Sequence, residues 1–191
     1  LRSLRCVGSV FISRDGCRGN MISHALKQFR YLLKSHLLWI LVPIKGGPLK
    51  ECRWSLFAGV RFLRGDYHAL ETEELIRLIR PGDIVYDIGA HIGYYSLIAA
   101  RACGEQGGQV FAFEPLPVNL KTLRIHLNAN QIKNVTILPY AVSCKSGTLN
   151  FDMAGGTGRG RLSAEGKMTI NTIALDNLIF EQNYPPPNFI K

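Results

Sequence analysis

From residue 68 onward the apolar and polar positions switch repeatedly between a helical and a strand period. In HALETEELIRLIRPG, residues 68–82, Leu75, Ile76 and Ile79 form an apolar face. Glu71, Glu73 and Glu74 fall in the early turns and Arg77 and Arg80 near the end. That charge order suits a helix dipole, and Pro81-Gly82 stops the helix. DIVYDIG predicts a short buried strand, GYYSLIAARAC a helix, and QVFAFE a second strand, apolar on both faces as parallel sheets require. Pro117 opens a helix through PVNLKTLRIHLNAN, where Leu120, Leu123 and Leu127 repeat at helical spacing. NVTILPYAVS reads as a third strand. TLNFDM and KMTINTIAL read as a hairpin around the Gly-rich AGGTGRGRLSAEG, and NFIK as the start of another buried strand. Strand and helix thus alternate three times between residues 83 and 143. The expected class is α/β, with a doubly wound, mainly parallel, Rossmann-like sheet, incomplete at its C-terminal end.

The first 50 residues follow no such rhythm. Residues 1–20 have no clear period, and with Met21 the first methionine they read as a leader or as non-native sequence. Residues 21–44 suit an amphipathic helix, either packed on the core or lying on an anionic membrane surface as a peripheral contact. Its uncharged stretch LLWILVPI is too short for the roughly 20 residues that cross a bilayer. Charge supports this division. Residues 1–50 hold nine Lys/Arg against one acid, which is most of the formal +9 of the 191-residue chain. We therefore expect a basic N-terminal extension over 1–50 and a truncated domain over 51–191. The near-neutral remainder argues against a nucleic-acid groove. Five cysteines (Cys6, Cys17, Cys52, Cys103, Cys144) form no metal-ligand spacing and read as reduced thiols of a cytoplasmic protein. At 47% apolar residues the chain can bury a core.

The candidate chemistry sits in VYDIGAHIGYYS, residues 85–96. In a doubly wound sheet ligands lie beyond the carboxyl ends of the strands, where this turn and Glu114 both fall. Glu114 follows Gly89 by 25 residues, close to the spacing at which an acid meets ribose hydroxyls. Each residue has a plainer use: the glycines can close a turn, Asp87 can cap a helix and Glu114 can end a strand in solvent. Together they imply a nucleoside-bearing cofactor. The glycine spacing is G-x-x-x-G, through Gly89 and Gly93, without the middle glycine of the dinucleotide fingerprint. Asp87 before the turn would repel a pyrophosphate, but it suits the ammonium and sulfonium of S-adenosylmethionine. Charge therefore favours a methyl donor over a nicotinamide cofactor. Ala90 and His91 lie inside the turn. His91 either meets the cofactor through backbone or ring, or faces solvent.

With PGDIVYDIGAHIGYYSLIAA, QVFAFEPLPVNLKTLRIHLNAN, NVTILPYAVS, TIALDNL and NFIK in hand, residues 65–191 resemble class I methyltransferases of the FkbM type. The resemblance implies that Asp87 and the Gly89–Gly93 turn hold the methionine part of S-adenosylmethionine and that Glu114 binds the ribose. Pro115 and Leu116 would border the adenine, with Ala141 across from them. His91 departs from the family's usual Asn. Asp176 matches a recurrent family position that a helix cap explains equally well. The family continues past the strand begun by NFIK into an acidic D-x-E-G-x-E segment, so no residue of this chain is assigned as catalytic base; with no Cys/His ligand spacing, no metal is expected. The implied activity is O-methylation of a hydroxyl on a secondary metabolite or sugar, a small-molecule or carbohydrate acceptor. The alternatives are an NAD(P)-dependent oxidoreductase and a non-enzymatic nucleic-acid or membrane-surface module built on the basic segments. Oligomeric state is not legible.

Overall fold

The computed structural model describes residues 37–152, 161–163 and 165–191. The readings made for residues 1–36 and for most of the Gly-rich loop therefore lie outside the described residues. Leu38–Lys191 form one compact unit.

Its centre is a four-stranded parallel sheet made of β3 (Ile84–Ile88), β4 (Gln109–Phe113), β5 (Val135–Leu138) and β10 (Phe189–Ile190), in the order β10-β3-β4-β5. The three helices predicted after residue 68 form: α1 (Ala69–Leu78), α2 (Tyr94–Cys103) and α3 (Pro117–Ala129). Side-chain alternation divides the core between the two faces of the sheet. Val85, Val110 and Ala112 pack with Leu97, Ile98 and Leu123 of α2 and α3. Tyr86, Phe111 and Phe113 pack on the other face with Ile173 and Leu178, the latter in a single π-helical turn, Asn177–Glu181. The chain winds outward from β3 through β4 to β5, then returns to pair β10 on the other side of β3. This reversal makes the fold doubly wound and puts a topological switch point at the carboxyl end of β3.

A second sheet, in the order β6-β9-β7-β8, comprises β6 (Ala141–Val142), β7 (Gly147–Asp152), β8 (Arg161–Leu162) and β9 (Met168–Ile173). Strands β7 and β9 form the expected antiparallel pair. The single strand expected over 134–143 is divided at Pro139. This residue has no N–H for a ladder, so β5 stays in the parallel sheet while β6 joins β9.

Two further expectations change. Leu41–Pro43 form a strand, β1, paired with β2 (Arg53–Ser55), rather than the end of an amphipathic helix. Val42 is β-branched and Pro43 disfavours helix at the residue before it. Residues 38–50 belong to the compact unit, and Ile44 and Leu49 are fully buried in its main core. In α1, Ile76 is 38% exposed and Thr72 takes the buried position beside Leu75.

Candidate active site

Asp87 is the fourth residue of β3, and the sheet and α2 reduce its exposure to 1%. Its Oδ2 accepts a 2.6 Å hydrogen bond from the hydroxyl of Ser96, in the first turn of α2. Its Oδ1 accepts none among the described residues. Lys191 Nζ stands 2.9 Å from that oxygen as an ion pair, without hydrogen-bond alignment. Among the described residues this buried carboxylate oxygen is met only by an ammonium group, an ion pair shielded from water. Asp87 is no helix cap.

The turn after β3 is held from the neighbouring strand. The N–H groups of Gly89 and Ala90 both donate to Phe113 O at 2.9 Å. Gly89 has φ +75°, and a methyl group there would project into open space. Gly93 is a turn closer: its φ is +93°, and a methyl group would lie 2.3 Å from Leu123 Cδ1. One glycine therefore lets α2 pack on α3, while the other leaves room above the turn. His91 is half-buried with φ +53°. Burial, followed by the charges of Arg61 and Lys191, holds its imidazole pKa below the ordinary value.

Glu114 is no solvated strand end; it is 4% exposed. Its Oε2 accepts from His91 N–H at 2.9 Å, and its Oε1 from Leu116 N–H at 2.9 Å and Asn119 Nδ2 at 3.1 Å. Burial pushes its pKa up, partly offset by these hydrogen bonds. The carboxylate fastens the β3 turn to the start of α3, and these three bonds leave one of its roughly four acceptor positions. Pro115 is half-buried beside it. Leu116 and Ala141, expected on opposite sides of an adenine, pack together with Phe151 and Ile170. Leu116 is 1% exposed, so its side chain faces this cluster. Asp176 is exposed and makes no cap hydrogen bond, which removes the capping explanation.

Sequence reasoning missed Ser96, Asn119, Lys191 and Tyr95. Ser96 carried a signal, being a polar residue in the first turn of a nearly apolar helix, whereas Asn119 is one of several polar residues of α3 and carried none. Lys191 and Tyr95 carried none: Lys191 reaches Asp87 only because β10 pairs with β3, and its Nζ also lies 4.7 Å from the centre of the Tyr95 ring.

The FkbM methyltransferase domain model matches residues 87–191, from Asp87 to the end of the last strand. A hexuronic acid methyltransferase, AglP, of Haloferax volcanii is 32% identical over 135 residues, covering 69% of this chain and 53% of the relative. The ribosomal RNA large subunit methyltransferase E of Chromobacterium violaceum is 41% identical over 56 residues, 29% of this chain and 27% of that protein. The 31-O-demethyl-FK506 methyltransferase FkbM of Streptomyces tacrolimicus is 48% identical over 46 residues, 24% of this chain and 17% of that protein. The chain spans about half the length of the first of these relatives or less of the others. The parallel α/β sheet, the Asp87 turn at its switch point and the match from Asp87 to Lys191 together show that the chain belongs to the FkbM methyltransferase domain family.

Proposed function

We propose that the protein uses S-adenosylmethionine to methylate a hydroxyl of a sugar or secondary metabolite. The observation that carries this reading is Asp87 Oδ1, buried at the switch point and opposed by an ammonium nitrogen. The donor's α-ammonium has the same chemistry as Lys191 Nζ, and the open space above Gly89 suits the chain that bears it. The residues present therefore fit the cofactor. Asp87, Gly89, Ala90, His91 and Gly93 would hold its methionine end, and the remaining acceptor position of Glu114 would take a ribose hydroxyl. Pro115, Leu116 and Ala141 would border the adenine, the last two from one apolar cluster with Phe151 and Ile170.

When bound, the donor supplies an electrophilic methyl on a sulfonium. An acceptor hydroxyl would have to lie in line with that methyl and to give its proton to a base. The chain's own contribution is alignment, worth up to about 7–11 kcal/mol in well-oriented systems. A sugar or metabolite acceptor is supported by the relatives named for hexuronic acid and FK506. The nicotinamide and non-enzymatic readings draw no support from the family match.

We read residues 51–191 as the catalytic domain, with residues 38–50 completing its core. Cys52, Cys103 and Cys144 are free thiols, which supports a cytoplasmic setting. No helix among the described residues is long and apolar enough to cross a membrane. Exposed Trp39 and Ile40 support a peripheral membrane contact near the end of segment 21–44.

Calorimetry with S-adenosylhomocysteine tests the donor site. Asp87→Asn should weaken binding by about tenfold or more, the scale of one charge-assisted contact. Unchanged affinity in that variant, or preferential binding of NADH by the wild type, would sink the proposal.

A further inference from the structure

Residues Val60, Arg61, Arg64, Asp66, Tyr67 and His68 line an open cleft of about 560 Å³. This volume is within the range of small-ligand sites. We propose that the cleft seats an anionic group of the acceptor, the carboxylate or phosphate of an acidic sugar, against the guanidinium groups of Arg61 and Arg64. The inference rests on the methyltransferase reading and names the substrate class for it.

The lining carries two guanidiniums and one carboxylate, Asp66. Among the described residues neither arginine forms an ion pair, with Asp66 or with any other acid. Arg61 is nevertheless oriented, because its guanidinium lies 5.0 Å from the centre of the Phe62 ring and 4.9 Å from that of Tyr67. Ring stacking leaves the in-plane N–H donors of a guanidinium available for a bidentate oxyanion.

The wall is fastened to the core. Tyr67 packs on buried Phe62 at 4.3 Å and edge-on to Tyr94 at 5.1 Å. Lys45 N–H donates to Leu63 O at 2.9 Å, tying the segment to the loop after β1. A methyl group at Gly65 would meet Gly46 O at 2.0 Å, so the two backbones touch there.

The cleft also adjoins the donor turn. His68, at φ +47°, stacks on Tyr67 with 4.1 Å between ring centres. Its Nδ1 is 3.2 Å from the hydroxyl of Tyr95, whose ring bears Lys191 Nζ, the partner of Asp87. A positive φ at a non-glycine residue is strained and recurs at ligand sites. Arg61 is also near enough to the turn to help depress the His91 pKa, after burial. The cleft thus reaches Asp87 through four residues in contact.

Ligand-observed NMR of the chain with saturating S-adenosylhomocysteine compares glucuronate, glucose 6-phosphate and glucose. At least one anionic sugar should bind about tenfold tighter than glucose, and the tighter of the two identifies carboxylate or phosphate. Arg61→Gln/Arg64→Gln should reduce that preference to about twofold or less, with partial retention in the double Lys variant. Both arginines are exposed, so these variants should fold, and calorimetry should find their S-adenosylhomocysteine affinity unchanged. Equal binding of the three sugars overturns the inference, as does an anion preference that survives the double Gln variant. Arginine-dependent binding of single-stranded RNA without discrimination among the sugars would overturn it in favour of a polynucleotide. Failure of the wild type to bind S-adenosylhomocysteine would strike the donor reading instead, while the sugar comparison still reads the cleft.

Discussion

Lys191 Nζ lies 2.9 Å from Oδ1 of Asp87, and under the proposed function it holds the position that the donor's ammonium group would take. The pair joins the ends of two adjacent parallel strands across the switch point. A donor bound as proposed would have to displace the lysine or share the carboxylate with it. Lys191→Met should tighten S-adenosylhomocysteine binding by about threefold or more, because competition for Oδ1 is removed. The same variant should lose about 1–3 kcal/mol of stability without ligand, since Asp87 is left with Ser96 alone. Calorimetry and chemical denaturation read the two effects separately. Weaker binding in Lys191→Met would show that the lysine helps to hold the donor.

Gly89 and Gly93 should separate under the same substitution. Gly93→Ala combines a positive φ with a clash against Leu123 and should cost about 2–4 kcal/mol. Gly89→Ala meets nothing and should cost about 1 kcal/mol from backbone strain alone. Its methyl group enters the space assigned to the donor, so binding should fall more than stability does. Equal stability losses with unaltered ligand affinity for Gly89→Ala would reduce that glycine to a turn former.

Glu114→Gln should loosen the donor turn. The carboxylate accepts from His91, Leu116 and Asn119, while an amide turns one acceptor into a donor facing N–H groups. A loss of about 1–3 kcal/mol is expected, together with at least several-fold weaker S-adenosylhomocysteine binding. A denaturation midpoint equal to that of the wild type would contradict the fastening role.

His126 should govern stability in mild acid. It is fully buried, stacked on Trp54 at 3.7 Å, with Nδ1 2.8 Å from Ile92 O and Nε2 accepting from Ser55 N–H. The Ser55 contact makes Nδ1 the protonated nitrogen, so the ring is neutral in the fold. Burial lowers its pKa from 6.5 to about 4, partly offset by the Ile92 contact. The unfolded chain then binds the extra proton first, so this residue's contribution is present above pH 6.5 and is lost as pH falls towards 4. The loss amounts to about 3 kcal/mol across that window. His126→Gln should be less stable at pH 7 and should flatten the slope between pH 6.5 and 4 in urea titrations. A slope matching the wild type would assign the acid sensitivity elsewhere, His91 being depressed in the same sense.

Much of this was legible along the chain because the information is local. The three helices and the strands β3 and β4 follow from apolar periodicity, Pro117 and the Pro81-Gly82 stop. Asp87, Gly89, Gly93 and Glu114 were visible because βα turns put the ends of successive strands on one edge. The break at Pro139 was also written locally, but the apolar residues on both sides concealed it. The strand at Leu41–Pro43 was hidden because its partner, Arg53–Ser55, determines it as much as its own composition does.

The sequence by itself determined the alternation of strand and helix, the acid before a glycine turn and the second acid one strand later. Those features depend on residues close together in the chain. Only the tertiary structure decided that Lys191 meets Asp87, that Glu114 spends most of its acceptors holding the turn, and that Leu116 and Ala141 share a buried cluster. It also joined the 60–68 segment to the first turn of α2, just after the Asp87 turn, through His68 and Tyr95. These relationships depend on strand order and helix packing, which set distances between residues far apart in sequence and leave little trace in local composition.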